Sequence, residues 1–395
     1  MNLDFTFHIP VKIIFGRGKI DELATHPLPG KKALIVITAG KSMKANGYLD
    51  TVIGNMAKQG VESVVFDKIL PNPISDHVDE GAALAKQEGC DFIVGLGGGS
   101  SIDSAKSIAV MAKNPGEYWD YIHGGSGKGK PIENGVLPIV AIPTTAGTGT
   151  EADPWTVVTK VASKEKIGFG TPETFPVLSI VDPDLMRTVP PLLTAFQGMD
   201  AFFHAAEGYL ATVAQPASDH FALDSIRLIT EYLPRAVKNG DDMEARTALA
   251  WASTQSGLVE STSSCISHHS LEHALSAFDP DLPHGAGLIL LSTHYFGFMA
   301  QKAPERFPAM ARAMGMDVDA LPESERPQAF ITALKQLIND IGAGGLSLSD
   351  YKLSKDLAPA LADNALNNMG PLFTLDPYTL NRDEIISIFA SCFPA

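Results

Sequence analysis

Residues 90–113, CDFIVGLGGGSSIDSAKSIAVMAK, hold an apolar run that ends in three consecutive glycines and opens straight into a helical pattern. A short β-type run followed at once by a Gly turn and a helix is the unit from which parallel α/β sheets are built. Gly97, Gly98 and Gly99 let the backbone approach a ligand without side-chain collision. Ser100 and Ser101 are placed to cap the helix, whose apolar positions are Ile102, Ala105, Ile108, Ala109 and Ala112. Free amides and the positive dipole end make such a terminus an anion site, and a pyrophosphate is its natural occupant. The run departs from the usual Gly-x-Gly-x-x-Gly fingerprint, because the third Gly position counted from Gly95 is Ser100.

Upstream, the same alternation recurs. Residues 5–14 read as an initial strand or hairpin, KKALIVIT ending at Thr38 as a strand buried on both faces, and VESVVFD ending at Asp67 as the next. Helical stretches fall between them, from Leu49 to Lys58 and across HVDEGAALAKQEG. Downstream, LPIVAIPTTAGTGTEAD is a strand running into a turn that carries Thr144, Thr145, Thr148 and Thr150 around Gly147 and Gly149. Hydroxyls and open amides suit phosphate or ribose, so two such loops, each after a strand, point to dinucleotide binding in a Rossmann-like parallel sheet with right-handed crossovers. A further strand, PVLSIVD, ends at Asp182.

Beyond Thr194 the period changes to helical throughout, which places a domain boundary near Pro190 and Pro191: an α/β dinucleotide-binding domain over residues 1–190 and an all-α metal-binding domain over residues 191–395. In the second half Asp200 and His204 are four apart, as are His269 and His273, so each pair projects from one helix face. His284 follows at a break marked by Pro283 and Gly285. One carboxylate and up to three imidazoles, drawn from two helices and a loop, suit iron(II), zinc or another first-row divalent ion. Five of the 11 histidines (His204, His268, His269, His273 and His284) crowd this region. Cys265 lies four residues before His269 and offers a possible thiolate, although an inert buried cysteine accounts for it as well.

A chain of 395 residues with 45% apolar and 19% charged residues has material for more than one core. The net charge of −15, with no basic run, disfavours nucleic acid and anionic membrane surfaces as partners. Three scattered cysteines imply no disulfide framework and fit a reducing cytoplasm. The N-terminal residues lack the pattern of a signal peptide, and GAGLILLSTHYFGFMA from Gly285 reads as a buried helix rather than a membrane span.

The order and wording of GGGSSIDSAK, PTTAGTGTE, DPDLMRTVPP, TAFQGMDAFFHAAEGY and HHSLEHALSAFDPDLPHG resemble the iron-containing (group III) alcohol dehydrogenase family, over essentially residues 5–390. The resemblance implies a dinucleotide-binding domain facing a helical metal domain across a cleft, and a homodimer. It implies ligation by Asp200, His204, His269 and His284, with Fe2+ expected and Zn2+ as the other candidate. His273 takes the place of the additional histidine near nicotinamide and substrate, suited to relaying a proton. The interval from His273 to His284 is one residue longer than is common, which places an insertion at Asp279–Leu282.

Cofactor contacts carried over by the same resemblance are Asn72, Gly98, Gly99, Ser100, Asp103, Thr144, Thr145, Thr148, Lys166 and Leu185. For Lys106 a solvated helix face is an equal alternative. After the first domain strand the chain reads ITAGKS, so Gly40, Lys41 and Ser42 stand where NAD-preferring members carry an acidic residue. That favours NADP(H) over NAD(H). Trp155 and the C-terminal wording TLDPYTL depart from the family and are expected to reshape the pocket wall, with a plain core role for Trp155 as an equal alternative.

The activity so implied is metal-dependent hydride transfer between a small primary alcohol or aldehyde and the nicotinamide. The alternatives are a dehydroquinate synthase-like lyase, which wants more basic residues than Arg227, Arg235, Lys238 and Arg246, and a non-catalytic metal- or nucleotide-binding protein.

Overall fold

In the computed structural model, which describes residues 4–393, the chain divides into two units at Thr188/Val189, with residues 4–8 grouped with the C-terminal unit.

The α/β unit runs through β1 (Lys12–Phe15), β2 (Lys32–Thr38), a short α1 (Ser42–Ala45), α2 (Tyr48–Ala57), β3 (Glu62–Ile69), α3 (Ser75–Glu88), β4 (Phe92–Gly97), α4 (Gly99–Met111), β5 (Ile139–Pro143), β6 (Thr156–Lys160), β7 (Glu165–Phe169) and β8 (Leu178–Val181). Six of these strands form one sheet in the order β1-β8-β5-β4-β2-β3, every pair parallel. The opening segment is therefore a single edge strand beside β8, not a hairpin. The central strands carry Ile, Val and Leu on both faces because both are covered, and Leu34, Ile35, Val94 and Val140 are fully buried.

Strand order fixes where a ligand can sit. The chain leaves β2 toward β3 on one side and leaves β4 toward β5 on the other, so the switch point lies beyond the C-terminal ends of β2 and β4. Those ends are Ala39–Ser42 and Gly97–Ser100, and Gly97 pairs with Pro143, which brings the start of the Thr loop to the same edge.

The hairpin of β6 and β7 is antiparallel and separate from the main sheet, and sequence periodicity did not isolate it. Its strands, TVVTK and EKIGF, are short and half polar, so they carry little alternation to read.

The helical unit comprises α5 (Pro191–Leu210), α6 (Pro216–Lys238), α7 (Met243–Thr262), α8 (Ser267–Phe278), α9 (His284–Lys302), α10 (Phe307–Ala313), α11 (Arg326–Asp340), α12 (Ala358–Phe373) and α13 (Arg382–Ser391). Helix α9 packs against both α5 and α8, and α5 and α8 are buried along most of their length. Helix α9 is the expected buried helix, and no helix among the described residues is long and apolar enough to cross a membrane.

Close approach of α4 to the sheet depends on Gly95, where an added Cβ would lie 2.8 Å from Ile102 Cα and 3.1 Å from Ala105 Cβ. Gly95→Ala therefore forces strand and helix apart. The expected cost is about 1–3 kcal/mol, read as a lowered thermal midpoint by circular dichroism.

Candidate active site

Helix α5 opens with Pro191 at its first turn and places Asp200, His204 and Glu207 at i, i+4 and i+7, one buried face. Helix α8 places His268, His269, Glu272 and His273 in its first two turns. His284 is not on a loop: Pro283 caps α9, and His284 is its first residue, so the candidate ligands come from three helices.

These side chains converge. Asp200 Oδ1 lies 3.7 Å from His204 Nδ1, 3.7 Å from His269 Nε2 and 3.4 Å from His284 Nε2. Asp200 Oδ1, His204 Nδ1 and His269 Nε2 are buried with no hydrogen-bond partner. Three such atoms would each cost about 1–3 kcal/mol if left so. Ligands about 2.1 Å from a tetrahedral ion stand about 3.4 Å apart; Asp200, His269 and His284 bring their ligand atoms within 4.8 Å of one another, whereas His204 falls in a second such group with His269 and Cys265. The side chain of His284, 24% exposed, is the one open side of the set.

Electrostatics divide the histidines: burial opposes protonation of His269, but Cys265 and Glu207 hold its imidazole well above the usual range. Burial drives the His204 imidazole down to about 4, against the pull of Asp200, so the ring is neutral and keeps a lone pair. Burial resists ionisation of Asp200, but the imidazoles of His204 and His284 hold its carboxyl well below the usual range.

Two residues that the sequence reading passed over complete the site. Glu207, fully buried, has Oε1 2.7 Å from both His268 Nδ1 and His269 Nδ1, while Oε2 accepts from Ile266 N at 3.0 Å and His269 N at 3.3 Å. Burial opposes its charge, yet His269 and His268 keep the carboxyl ionised, far below its ordinary range. Glu272 Oε2 accepts from His284 Nδ1 in the same manner. Each carboxylate holds the far nitrogen of an imidazole whose Nε2 faces Asp200, the outer-shell arrangement that sets tautomer and ring orientation. The available signal was an acid one turn beyond a histidine inside an apolar helix: Glu207 after His204 and Glu272 after His269.

His273 stands beside His284, with ring centroids 5.6 Å apart, and a nitrogen of each lies within 4.8 Å of a Glu272 oxygen. Cys265 is buried, its thiol within hydrogen-bond reach of Glu260 Oε1 at 3.5 Å, and burial pushes its pKa well up. Asp279–Leu282 is a short turn between α8 and α9, where buried Asp279 accepts from Lys352 N at 2.7 Å.

In the α/β unit the structure sorts the cofactor candidates. Gly98, Gly99, Ser100, Thr145 and Thr148 are partly exposed at the edge fixed by the switch point, and Gly40, Lys41 and Ser42 are exposed there. Thr144 is buried and its amide donates to Gly97 O at 2.8 Å. Ser100 Oγ donates to Pro71 O, which ties the turn bearing Asn72 to the Gly loop. No serine caps α4: its N-cap is Gly98, without a side-chain cap bond.

Other candidates face inward. Asp103 is buried, with Oδ1 accepting from Thr150 Oγ1 at 2.8 Å and Oδ2 from Val157 N at 2.9 Å, so this carboxylate is spent on the protein rather than on a cofactor. Lys106 is fully buried, not on a solvated face. Lys166 is buried on β7, paired across from Thr159, and Leu185 packs in the core of the α/β unit.

Residues 10–183 match the family model described as iron-containing alcohol dehydrogenase, and residues 194–393 match that of the Fe-containing alcohol dehydrogenase family, C-terminal. The chain belongs to the iron-containing alcohol dehydrogenase family. It is 35% identical to a choline dehydrogenase of Bacillus subtilis, over 98% of this chain and 95% of the relative. It is 37% identical to an NAD-dependent methanol dehydrogenase of Bacillus methanolicus, over 92% and 93%. Among solved structures it superposes on an archaeal halo-thermophilic alcohol dehydrogenase from a Red Sea brine pool with a TM-score of 0.94, at 33% identity over 100% of both chains. The chain is thus an enzyme of the iron-type alcohol dehydrogenase family.

Within this family member, the start of α8 is bolted by the segment that departs from the usual wording. Asp376 Oδ1 accepts from Ser267 N at 3.0 Å and from Tyr295 Oη at 3.1 Å, and Ser267 Oγ lies 2.9 Å from the same Tyr295 hydroxyl. Burial raises the Asp376 carboxyl from 3.8 to about 7. A native state that holds a proton more tightly than the unfolded chain loses stability as pH rises between those values. Asp376→Asn should therefore flatten the fall in melting temperature between about pH 4 and 7, measured against wild type by differential scanning calorimetry.

Proposed function

We propose that the chain transfers hydride reversibly between NADPH and a primary alcohol or its aldehyde, at a divalent ion held by Asp200, His204, His269 and His284. The observation that carries this reading is the meeting of one carboxylate and three imidazoles around Asp200 Oδ1, with three of their buried atoms lacking any other partner. Fe2+ fits this mixed oxygen and nitrogen set, Zn2+ fits it as well, and either supplies a Lewis acid for a substrate oxygen.

The chain's own residues do the rest. Glu207 and Glu272 hold the Nδ1 atoms of His269 and His284 and so turn each Nε2 toward Asp200, and the partly exposed flank at His284 is where a small substrate enters. His273, beside His284, relays the alcohol proton to solvent. The Gly and Thr loops hold the dinucleotide phosphates on backbone amides and hydroxyls. Two relatives named for methanol and choline support a primary alcohol as substrate, since both compounds are primary alcohols.

Preference for NADPH follows from Ala39, Gly40, Lys41 and Ser42, all exposed after β2, with no carboxylate to repel a 2′-phosphate. A synthase that binds a phosphate-bearing substrate gains no support here. Arg227 pairs with Asp224, Arg235 with Asp242 and Glu244, and Arg246 donates to Thr194 and two carbonyls.

Elemental analysis tests the ligands: His269→Ala and His284→Ala are each expected to lose bound metal and turnover together, and full metal content in either variant would rule out the set. Initial rates with NADPH and NADH over an aldehyde series test the cofactor. Ala39→Asp is expected to lower the NADPH-to-NADH ratio of kcat/KM by about tenfold.

A further inference from the structure

The strongest feature outside the candidate metal site is a buried charged cluster behind the Gly and Thr loops. Lys106 Nζ, on α4, donates to Thr150 Oγ1 at 2.6 Å, Trp155 O at 2.7 Å, Asp153 O at 2.9 Å and Asp153 Oδ1 at 3.0 Å. Neither side chain of the Lys106–Asp153 pair reaches solvent, at 0% and 1% exposed. Thr150 Oγ1, having accepted from Lys106, donates onward to Asp103 Oδ1 at 2.8 Å, and Trp155 N donates to Asp153 Oδ1 at 2.7 Å. Asp103 also takes Val157 N on Oδ2 and Thr156 Oγ1 on its carbonyl, at 2.9 and 2.7 Å. Every bond in the cluster joins α4 to the segment that follows the Thr loop or braces that segment on itself.

In front of the cluster the two loops touch. A Cβ on Gly98 would lie 3.1 Å from Thr145 Oγ1, and one on Gly99 would lie 2.5 Å from Thr148 Cγ2. Thr148 Oγ1 accepts from Thr150 N at 3.4 Å, so the residue that presents the loop hydroxyl is two positions from the one that Lys106 grips. A buried ion pair adds little net stability over an apolar filling of the same volume. Its geometric demand is the stronger effect, because the ammonium's three N–H groups are shared among four acceptors fixed on one segment, and losing them leaves a buried charge without partners.

We propose that Lys106 is a positioning residue for the dinucleotide: its buried ammonium clasps the Thr148–Val157 segment to α4 and so fixes the gap between the Gly and Thr loops that holds the pyrophosphate. This rests on the reading of those loops as the dinucleotide cradle. The carboxyl groups of Asp103 and Asp153 are the clasp's two jaws, and Thr150 is the hinge pin between Lys106 and Asp103.

The test uses the metal-loaded enzyme with Lys106→Met, Thr150→Val and the pair Lys106→Met/Asp153→Asn. NADPH affinity is read by quenching of tryptophan fluorescence, and steady-state KM and kcat are measured beside bound-metal content. Lys106→Met is expected to weaken NADPH binding and raise its KM by about tenfold or more, with the KM for aldehyde and the metal content retained. Thr150→Val, which keeps the volume and cuts the relay, is expected to shift the same constants in the same direction even if Lys106→Met fails to fold. The double variant, which no longer buries a carboxylate against methionine, is expected to recover part of the loss. Wild-type NADPH affinity in folded Lys106→Met or in Thr150→Val would overturn the clasp alone. Wild-type enzyme that binds neither NADPH nor NADH would overturn the reading of the loops and the clasp with it.

Discussion

A single buried carboxylate oxygen, Glu207 Oε1, is the point on which the helical unit's chemistry depends. In the interior an uncompensated carboxylate is expensive, so its position is dictated by the donors that surround it. Glu207 gathers two imidazole nitrogens and two backbone amides, all from residues 266–269. The acid on α5 thereby fixes the first turn of α8, both its backbone and its ring planes. With Nδ1 of His269 committed, Nε2 is left to face Asp200, and stacking of the His204 and His269 rings at 4.4 Å follows from the same constraint. His268 is held at both nitrogens, by Glu207 and by Leu288 O at 3.1 Å, and so extends the grip from α5 through α8 to α9.

The α/β unit solves a parallel problem with the opposite sign. There a buried ammonium organises two acids and a hydroxyl, and the partially exposed Gly and Thr loops lie in front of it. In both units the residues read as candidate ligand contacts sit over a buried charged group that touches only protein. The division is physical: a group facing a ligand must stay available, whereas a group that sets geometry must have all its bonds satisfied.

This difference explains what the sequence disclosed. Strand-and-helix alternation, the Gly97–Gly99 turn and the helical spacing of Asp200 with His204 are local signals, and each lies where local periodicity placed it. Glu207, Glu272 and Lys106 carry the same residue types as a solvated helix face; the two acids have a histidine one turn before them as a local cue, and Lys106 has none. Asp103 is of the same kind: its motif company suggests a ligand contact, while its observed bonds go to Thr150 and Val157. His284 was assigned to a loop because Pro283 and Gly285 are turn residues, yet Pro283 serves as a cap, and Gly285 packs where a Cβ would meet Phe196 O at 2.2 Å. The β6–β7 hairpin escaped because five-residue strands with polar members hold too few positions for alternation to register.

The two departures from family wording have different physical meanings. For Trp155 a pocket wall and a core role are equal expectations; its carbonyl accepts from Lys106, and its ring lies where a Cβ on Gly170 would come within 2.7 Å. Bulk at that position is accommodated by a glycine across the hairpin unit, and the backbone there serves the clasp whatever the side chain. Asp376, within TLDPYTL, acts on α8 instead: it holds Ser267 N and the Tyr295 hydroxyl at the turn that Glu207 grips from the other side. Helix α8 is therefore fixed at its N-terminus by one acid from α5 and one from the C-terminal segment, on residues 266, 267 and 269. A change of wording so far along the chain bears on the site by holding the helix that carries His269 and His273, and a requirement of that kind is invisible until the fold brings residues 267 and 376 together.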